Sequence, residues 1–346
     1  MSESLIDPGL VHLARLTDDT SIFEHARGAI PRREHGYCTD DAGRALIVAV
    51  RSVDPRACGL AERYLGFLAH MHLGDGRFAL RMGFDRTLTH GDESDDACGR
   101  AIQGLGVAAA SAPWPHVRAA AFELFCDATP FRSSCIRAMA HAGVGAAEVL
   151  ATQPDHAAAR LLARDAMERI VIPFSRSGVE WPWPEARLGY GNALLAECAM
   201  VTGAVLGDDR CVKVGLTMLR WLAGTERAPQ GWLSVTPVNG WAAGEPRPAF
   251  DQQPLEAACL ADAARRARTL TGDHRWDEIA QVAEAWFTGA NDLGVAMVDP
   301  SSGGGYDGLC PDGPNRNQGA ESTLAMLVAL HCQPPNDVRP DPRATP

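Results

Sequence analysis

The 346-residue chain lacks any apolar run approaching the ~18 residues a membrane-spanning helix needs, and it has no run of basic residues. With 32 basic against 43 acidic residues and a net charge of −11, it offers little to nucleic acid or to an anionic membrane surface. Neither nucleic-acid binding nor membrane insertion is therefore expected. The opening Met1-Ser2-Glu3-Ser4-Leu5-Ile6-Asp7-Pro8 has neither a basic start nor an apolar core, which sets the expectation of a cytoplasmic protein. Ten cysteines occur without one C-x-x-C pair, and Cys98, Cys198 and Cys259 fall inside apolar helical runs, so reduced thiols are expected rather than disulfides. The chain also lacks a Gly-x-Ser-x-Gly elbow, a His-Glu-x-x-His helix and an EF-hand loop. The glycine run from Ser301 to Gly308 lacks the Lys-Ser/Thr of a phosphate loop. His70 and His72 have no third ligand near them in sequence, and neither a metal nor a cofactor is expected.

What the chain does have is one theme six times over: an acidic or amide-bearing turn that runs directly into a helix of very small residues. The copies are anchored at Asp41, Asp96, His141, Asn192, Gln253 and Ala320, separated by 45 to 67 residues. That spacing accommodates two helices of about 11–12 residues with their loops. A helical hairpin cannot bury its apolar face alone, so hairpins share a core, and six copies predict a closed ring. Ala and Gly suit tightly packed inner helices, whereas the bulkier stripe Ala61-Glu62-Arg63-Tyr64-Leu65-Gly66-Phe67-Leu68 suits the outer layer. The expectation is an all-α, closed α/α toroid of six hairpins over residues 1–332, with a flexible Pro- and Asp-rich tail at 333–346. The polar starts of the inner helices, with their free N–H groups, then converge on one mouth.

The acids are clustered in a way that helix capping alone does not require. Asp40-Asp41 with Arg44 is matched by Asp95-Asp96 with Arg100, and neighbouring carboxylates raise one another's pKa, as a general acid beside a general base needs. Thr39 or Asp40 is expected to cap the first of these helices. Asp41, Asp95, Asp96, Asp251 and Glu321 are the candidate catalytic carboxylates. Loops ahead of the inner helices carry Trp181, Trp183 and Trp241, flat faces on which a sugar could stack, beside Tyr190 and Asn192. Gln252, Gln253, Asn317 and Gln318 both donate and accept hydrogen bonds where inner helices begin, and His141 stands at the third anchor. This mixture of flat aromatics, carboxylates and amides suits a carbohydrate ligand.

The runs Gly36-Tyr37-Cys38-Thr39-Asp40-Asp41, Asp85-Arg86 with Ser94-Asp95-Asp96, Trp181-Pro182-Trp183, Phe250-Asp251-Gln252-Gln253-Pro254, Gly305-Tyr306-Asp307-Gly308 and Asn317-Gln318-Gly319-Ala320-Glu321 resemble a bacterial family of six-hairpin glycosidase-like toroids. The likeness runs from about Tyr37 to Leu327. It implies a carbohydrate substrate and brings Asp40, Arg44, Asp85, Arg100, Tyr306 and Asp307 into the candidate binding set. Members are often found fused to, or encoded beside, a glycosyltransferase, so the resemblance also implies such a partner. The chain itself has no βαβ pattern with a glycine-rich phosphate loop. Ala42, Cys98 and Gly191 replace residues common in the family, which removes those three positions from any catalytic role. The first expectation for function is a glycoside hydrolase using paired carboxylates on a glycan. A non-catalytic glycan-binding toroid that assists a glycosyltransferase comes second. Sugar epimerisation or isomerisation comes last, because it leans on facing histidines and His141 is the lone histidine among the six anchors.

Overall fold

The computed structural model describes residues 8–331 except 90 and 92; the expected tail at 333–346 lies outside the described residues. Twelve helices occur among the described residues, in six hairpins. The inner helices are α2 (Thr39–Arg51), α4 (Asp95–Ser111), α6 (Ile136–Thr152), α8 (Asn192–Leu206), α10 (Pro254–Thr271) and α12 (Ala320–Leu330). Outside them lie α1 (Pro8–Leu16), α3 (Ala57–Met71), α5 (Pro115–Ala128), α7 (Ala157–Phe174), α9 (Asp209–Thr225) and α11 (Arg275–Phe287). Each inner helix packs on the next, and α12 packs on α2, so the ring closes as an α/α toroid. The stripe from Ala61 to Leu68 lies in outer helix α3, as its bulk predicts.

Small residues set the radius of the ring. A Cβ on Gly106 would overlap the Gly145 carbonyl oxygen, and one on Gly99 would overlap that of Ala138. Both pairs advance by seven residues, so α4 and α6 run parallel in backbone contact. Parallel inner helices bring all their N-termini to one end.

That end is dressed with short antiparallel ribbons rather than a sheet. Tyr37–Cys38 pairs with Arg81–Met82, and Arg187–Leu188 pairs with Trp241–Ala242. The start of α2 departs from expectation: the residue before it is Cys38, and no side chain caps it. Thr39 Oγ1 instead donates to the Ala79 carbonyl (2.6 Å), tying the helix to the neighbouring loop and freeing Asp40 and Asp41 for other work. At α4 the cap is present, with Ser94 accepting from the Ala97 N–H. No helix among the described residues is long and apolar enough to cross a membrane, and all nine described cysteines are free thiols.

Candidate functional site

The mouth is organised by two arginines one helical turn inside α2 and α4. Arg44 donates through Nη1 to Asp41 (2.7 Å) and Asp40 (3.0 Å), both a turn earlier on its own helix, and through Nη2 to Glu321 on α12 (2.6 Å). Arg100 donates to Asp96 (2.9 Å), which also accepts from the Tyr190 hydroxyl (3.3 Å). On α6, His141 Nδ1 donates to Gln103 Oε1 of α4 (2.5 Å). With that proton on Nδ1, the neutral ring keeps its lone pair on Nε2.

Burial and charge divide the protonation states. Burial alone would raise Asp96, but the charge and hydrogen bond of Arg100, with the charge of Arg44, outweigh it and hold the carboxyl far below the usual range. Asp40 is likewise lowered against its burial by Arg44 and Arg100. Asp41 goes the other way: burial, with Asp40 beside it, lifts it well above the ordinary value although Arg44 is bonded to it. His141 lies well below 6.5, first through burial and then through the charge of Arg100. Near neutral pH the mouth thus holds ionised Asp40 and Asp96 and an uncharged imidazole, with Asp41, on Arg44, shifted toward its protonated form.

Below this layer the bore continues as a cavity of about 80 Å³ whose wall includes Arg44, Arg100, Gln103, His141, Glu197, Asp262 and Glu321. Its floor is a second charged layer. Arg51 pairs with Asp262 (2.9 Å), and Arg266 pairs with Glu148 and lies 3.6 Å from Glu197. Burial and the charge of Asp262 push Glu197 up to about 8, so the floor carries a protonated carboxyl.

Arg137 braces one side of the mouth. It donates to the Tyr190 carbonyl, to Glu185 (2.8 Å) and weakly to Asn192 (3.4 Å), and its guanidinium lies 4.8 Å from the centre of the Tyr190 ring. Asn192, the first residue of α8, is bound by Glu256 of α10, which accepts from the N–H groups of Gly191 (2.5 Å) and Asn192 (3.2 Å) and from the Asn192 side-chain amide. Glu256 lifts to about 8, chiefly by burial and then by the charge of Glu226.

Of the residues picked from sequence, the structure brings Asp40, Asp41, Arg44, Asp96, Arg100, His141, Tyr190, Asn192 and Glu321 together. The others do structural work. Asp95 points to the flank, held by Arg77 (3.0 Å) and Ser133 (2.5 Å), because successive helical residues face about 100° apart. Asp251 is an exposed rim residue whose carbonyl accepts from Val238. Asp85 closes its own turn through Thr87.

Gln252 is fully buried, accepting from Trp286 Nε1 (2.9 Å) and donating to Asp292, and Gln253 precedes α10 without a capping bond. Asp307 caps α12 by accepting from Gly319 N–H (2.8 Å) and Ser322 Oγ (2.6 Å) beside buried Tyr306. Asn317 accepts from Gly28 N–H, and Gln318 bridges Ser302 and Asp299. The tryptophans are filler rather than platforms: Trp183 is 1% exposed, and Trp181 packs edge-on between Trp221 and Trp241. Trp241 is half-buried and gives its N–H to the Glu245 carbonyl.

Gln103, Arg137, Glu185 and Glu197 escaped the sequence reading, which noted Glu256 only beside Gln252 and Gln253 at the start of an inner helix. A signal existed for some of them. Asp96, Arg100 and Gln103 fall at i, i+4 and i+7, and Arg137, His141 and Glu148 at i, i+4 and i+11, a polar stripe on the bore face of each inner helix.

A scan against protein-family models finds no match, and a search of curated proteins finds no relative. Solved structures do match along nearly the whole chain. A sugar epimerase from a ruminal bacterium superposes with a TM-score of 0.71 at 13% identity, over 94% of this chain and 96% of that one. A D-mannose isomerase gives 0.65 at 12% identity, over 94% and 95%. The GH76 α-mannanase of Bacteroides thetaiotaomicron gives 0.61 at 9% identity, over 93% and 92%. At these identities the likeness establishes the fold, the six-hairpin α/α toroid shared by sugar epimerases and glycosidases.

Proposed function

We propose that the protein is a carbohydrate-active enzyme that moves a proton at the carbon beside the carbonyl of a reducing sugar, as in aldose–ketose isomerisation or 2-epimerisation. The observation that carries this reading is His141: a neutral imidazole, its Nδ1 proton fixed on Gln103, lining a cavity that also presents Arg44 and Arg100. Nε2 takes the proton from C2 of the open-chain sugar, and the electron pair moves onto the carbonyl oxygen to give an enediolate. Arg100 or Arg44 stabilises that oxyanion. Ionised Asp96 steadies the transient imidazolium, which returns the proton to C1 while the O2 hydroxyl proton passes to O1, giving the ketose; return to the opposite face of C2 would give the epimeric aldose. Among the described residues, His141 is the single histidine lining this cavity, which favours the one-base isomerisation over a two-base epimerisation. The sugar epimerase and D-mannose isomerase that share the fold support the same class.

Glycoside hydrolysis is the second reading, favoured by one observation: burial pushes the Asp41 carboxyl up while Arg100 holds the Asp96 carboxyl down, the divergence of two carboxyls that hydrolysis exploits. It ranks below proton transfer because each of these carboxyls is bonded to an arginine, which occupies the lone pairs that would meet a leaving oxygen or a water. Proton transfer, ranked last from the sequence, is thus placed ahead of hydrolysis, because the sequence counts carboxylates without seeing what neutralises them.

The test is to incubate the protein with aldoses, 2-ketoses and reducing disaccharides in D₂O and follow C2 deuteration and new isomers by NMR, alongside a panel of aryl glycosides and oligosaccharides. Isomer formation with solvent exchange, abolished by His141→Gln, is expected. Cleavage of a glycoside without any exchange at C2 would overturn the proposal in favour of the hydrolase. Saccharide binding with neither reaction would favour an accessory toroid.

A further inference from the structure

Beside the mouth runs a groove of about 940 Å³, between the N-terminal end of α6, the outer face of α7 and the loop carrying Glu185 and Tyr190. We propose that this groove is a second sugar subsite, so that the substrate is a neutral disaccharide or longer glycan whose reducing unit enters the bore. The proposal rests on the sugar-processing reading above and adds the substrate class.

Tyr190 joins the two spaces. Its hydroxyl donates to Asp96 in the mouth (3.3 Å), while its ring, with the residue 39% exposed, lines the groove. Arg137 covers one face of that ring and is itself pinned by Glu185 and the Tyr190 carbonyl, so the aromatic plane is fixed before any ligand arrives. A rigid aromatic face beside the exposed side chain of Ile172 suits the C–H face of a pyranose. Farther along, the exposed side chains of Arg169 and Glu168 make no hydrogen bond to another described residue, which leaves donors and an acceptor for hydroxyl groups.

The charge pattern selects the ligand. Arg132, Arg137 and Arg169 are balanced by Asp165, Glu168 and Glu185, and two of the pairs are closed, Arg132 with Asp165 (2.5 Å) and Arg137 with Glu185 (2.8 Å). A groove without net charge has no basis for preferring a phosphorylated or uronic sugar, and its paired ions present polar edges that suit neutral hydroxyls. The volume falls at the upper end of the ~300–1,000 Å³ typical of ligand sites, which exceeds what the narrow bore beside it provides.

Binding is to be read by titration calorimetry, which does not depend on turnover, using cellobiose, mannobiose, glucose, mannose and glucuronic acid. A disaccharide is expected to bind at least about tenfold more tightly than its monosaccharide. That advantage should vanish in Tyr190→Ala and in Ile172→Asp, and persist in Tyr190→Phe, which keeps the ring but loses the bond to Asp96. Equal affinities for mono- and disaccharides, a disaccharide advantage untouched by Tyr190→Ala, or tighter binding of glucuronic acid would each overturn the subsite. Proton exchange at C2 of a monosaccharide, measured separately, would then still uphold the reaction. Failure of every saccharide to bind would overturn the subsite and the reaction together.

Discussion

Replacing Arg44 with Met tests the part of the mouth that also closes the ring. Arg44 is the only cation bonded to Asp40, Asp41 and Glu321 among the described side-chain contacts, and Glu321 belongs to the last inner helix, so the 2.6 Å bond spans the seam between α2 and α12. Removing one partner of a buried pair costs about 3–5 kcal/mol, because the other charge is left uncompensated. Glu321 and Asp40 retain 39% and 23% side-chain exposure and contribute little after solvent screening, whereas Asp41 retains only 5%. Arg44→Met should therefore lose about 2–4 kcal/mol at pH 7, most of it through Asp41.

The sign of the pH dependence follows from the same contacts. Without Arg44, Asp40 loses the first cation that holds its folded-state pKa down, and Asp41, already raised by burial, moves farther above its unfolded value near 4. A group raised in this way loses stability as pH rises through the interval, so the deficit should be largest above neutrality and shrink toward pH 4. Urea unfolding of the wild type and the variant at pH 4, 5.5, 7 and 8 reads this directly. Adding Asp41→Asn to Arg44→Met should recover part of the loss at pH 7 by removing the repelling charge. A deficit under about 1 kcal/mol at pH 7, or one constant from pH 4 to 8, would refute the argument.

His141→Gln keeps a hydrogen-bonding partner for Gln103 but removes the base, so turnover should fall by ~10²–10⁴ with the unfolding midpoint little changed; an active variant would remove His141 from the mechanism. In the wild type, turnover should hold steady as pH is lowered through 6.5, since burial and Arg100 keep the ring neutral below that point, and a titration midpoint near 6.5 would contradict that placement. Asp96→Asn should depress turnover and Asp95→Asn leave it intact, since only Asp96 reaches the mouth; equal kinetic effects would show that the Arg77–Asp95 contact does not describe the working site. Gly106→Ala inserts a methyl into the backbone contact with Gly145 and should cost about 1–3 kcal/mol in urea unfolding, with a neutral result arguing against that tight α4–α6 seam.

The ring was legible in the sequence because its cause is periodic. Six acidic or amide-bearing starts run into Ala- and Gly-rich helices, and such helices bury their surface only by packing on copies of themselves. Asp41, Asp96, His141 and Asn192 were legible for the same reason, since a repeat anchor falls at the inner-helix start or within its first two turns wherever the ring places it. The roles of the remaining polar residues were not. Asp307 and Asp96 look alike along the chain, yet one accepts from the Gly319 N–H and the Ser322 hydroxyl at the start of α12 and the other meets Arg100 and Tyr190.

Local sequence therefore determined which helices form and at which end their polar residues gather, because backbone propensity and apolar spacing act over a few residues. Only the tertiary structure decided which carboxylates meet an arginine and which histidine stays neutral. Among the tryptophans, too, packing alone selects the ones that fill the wall. A pKa depends on charges brought within a few ångströms from helices far apart in sequence, such as Arg44 and Glu321 across the closing seam.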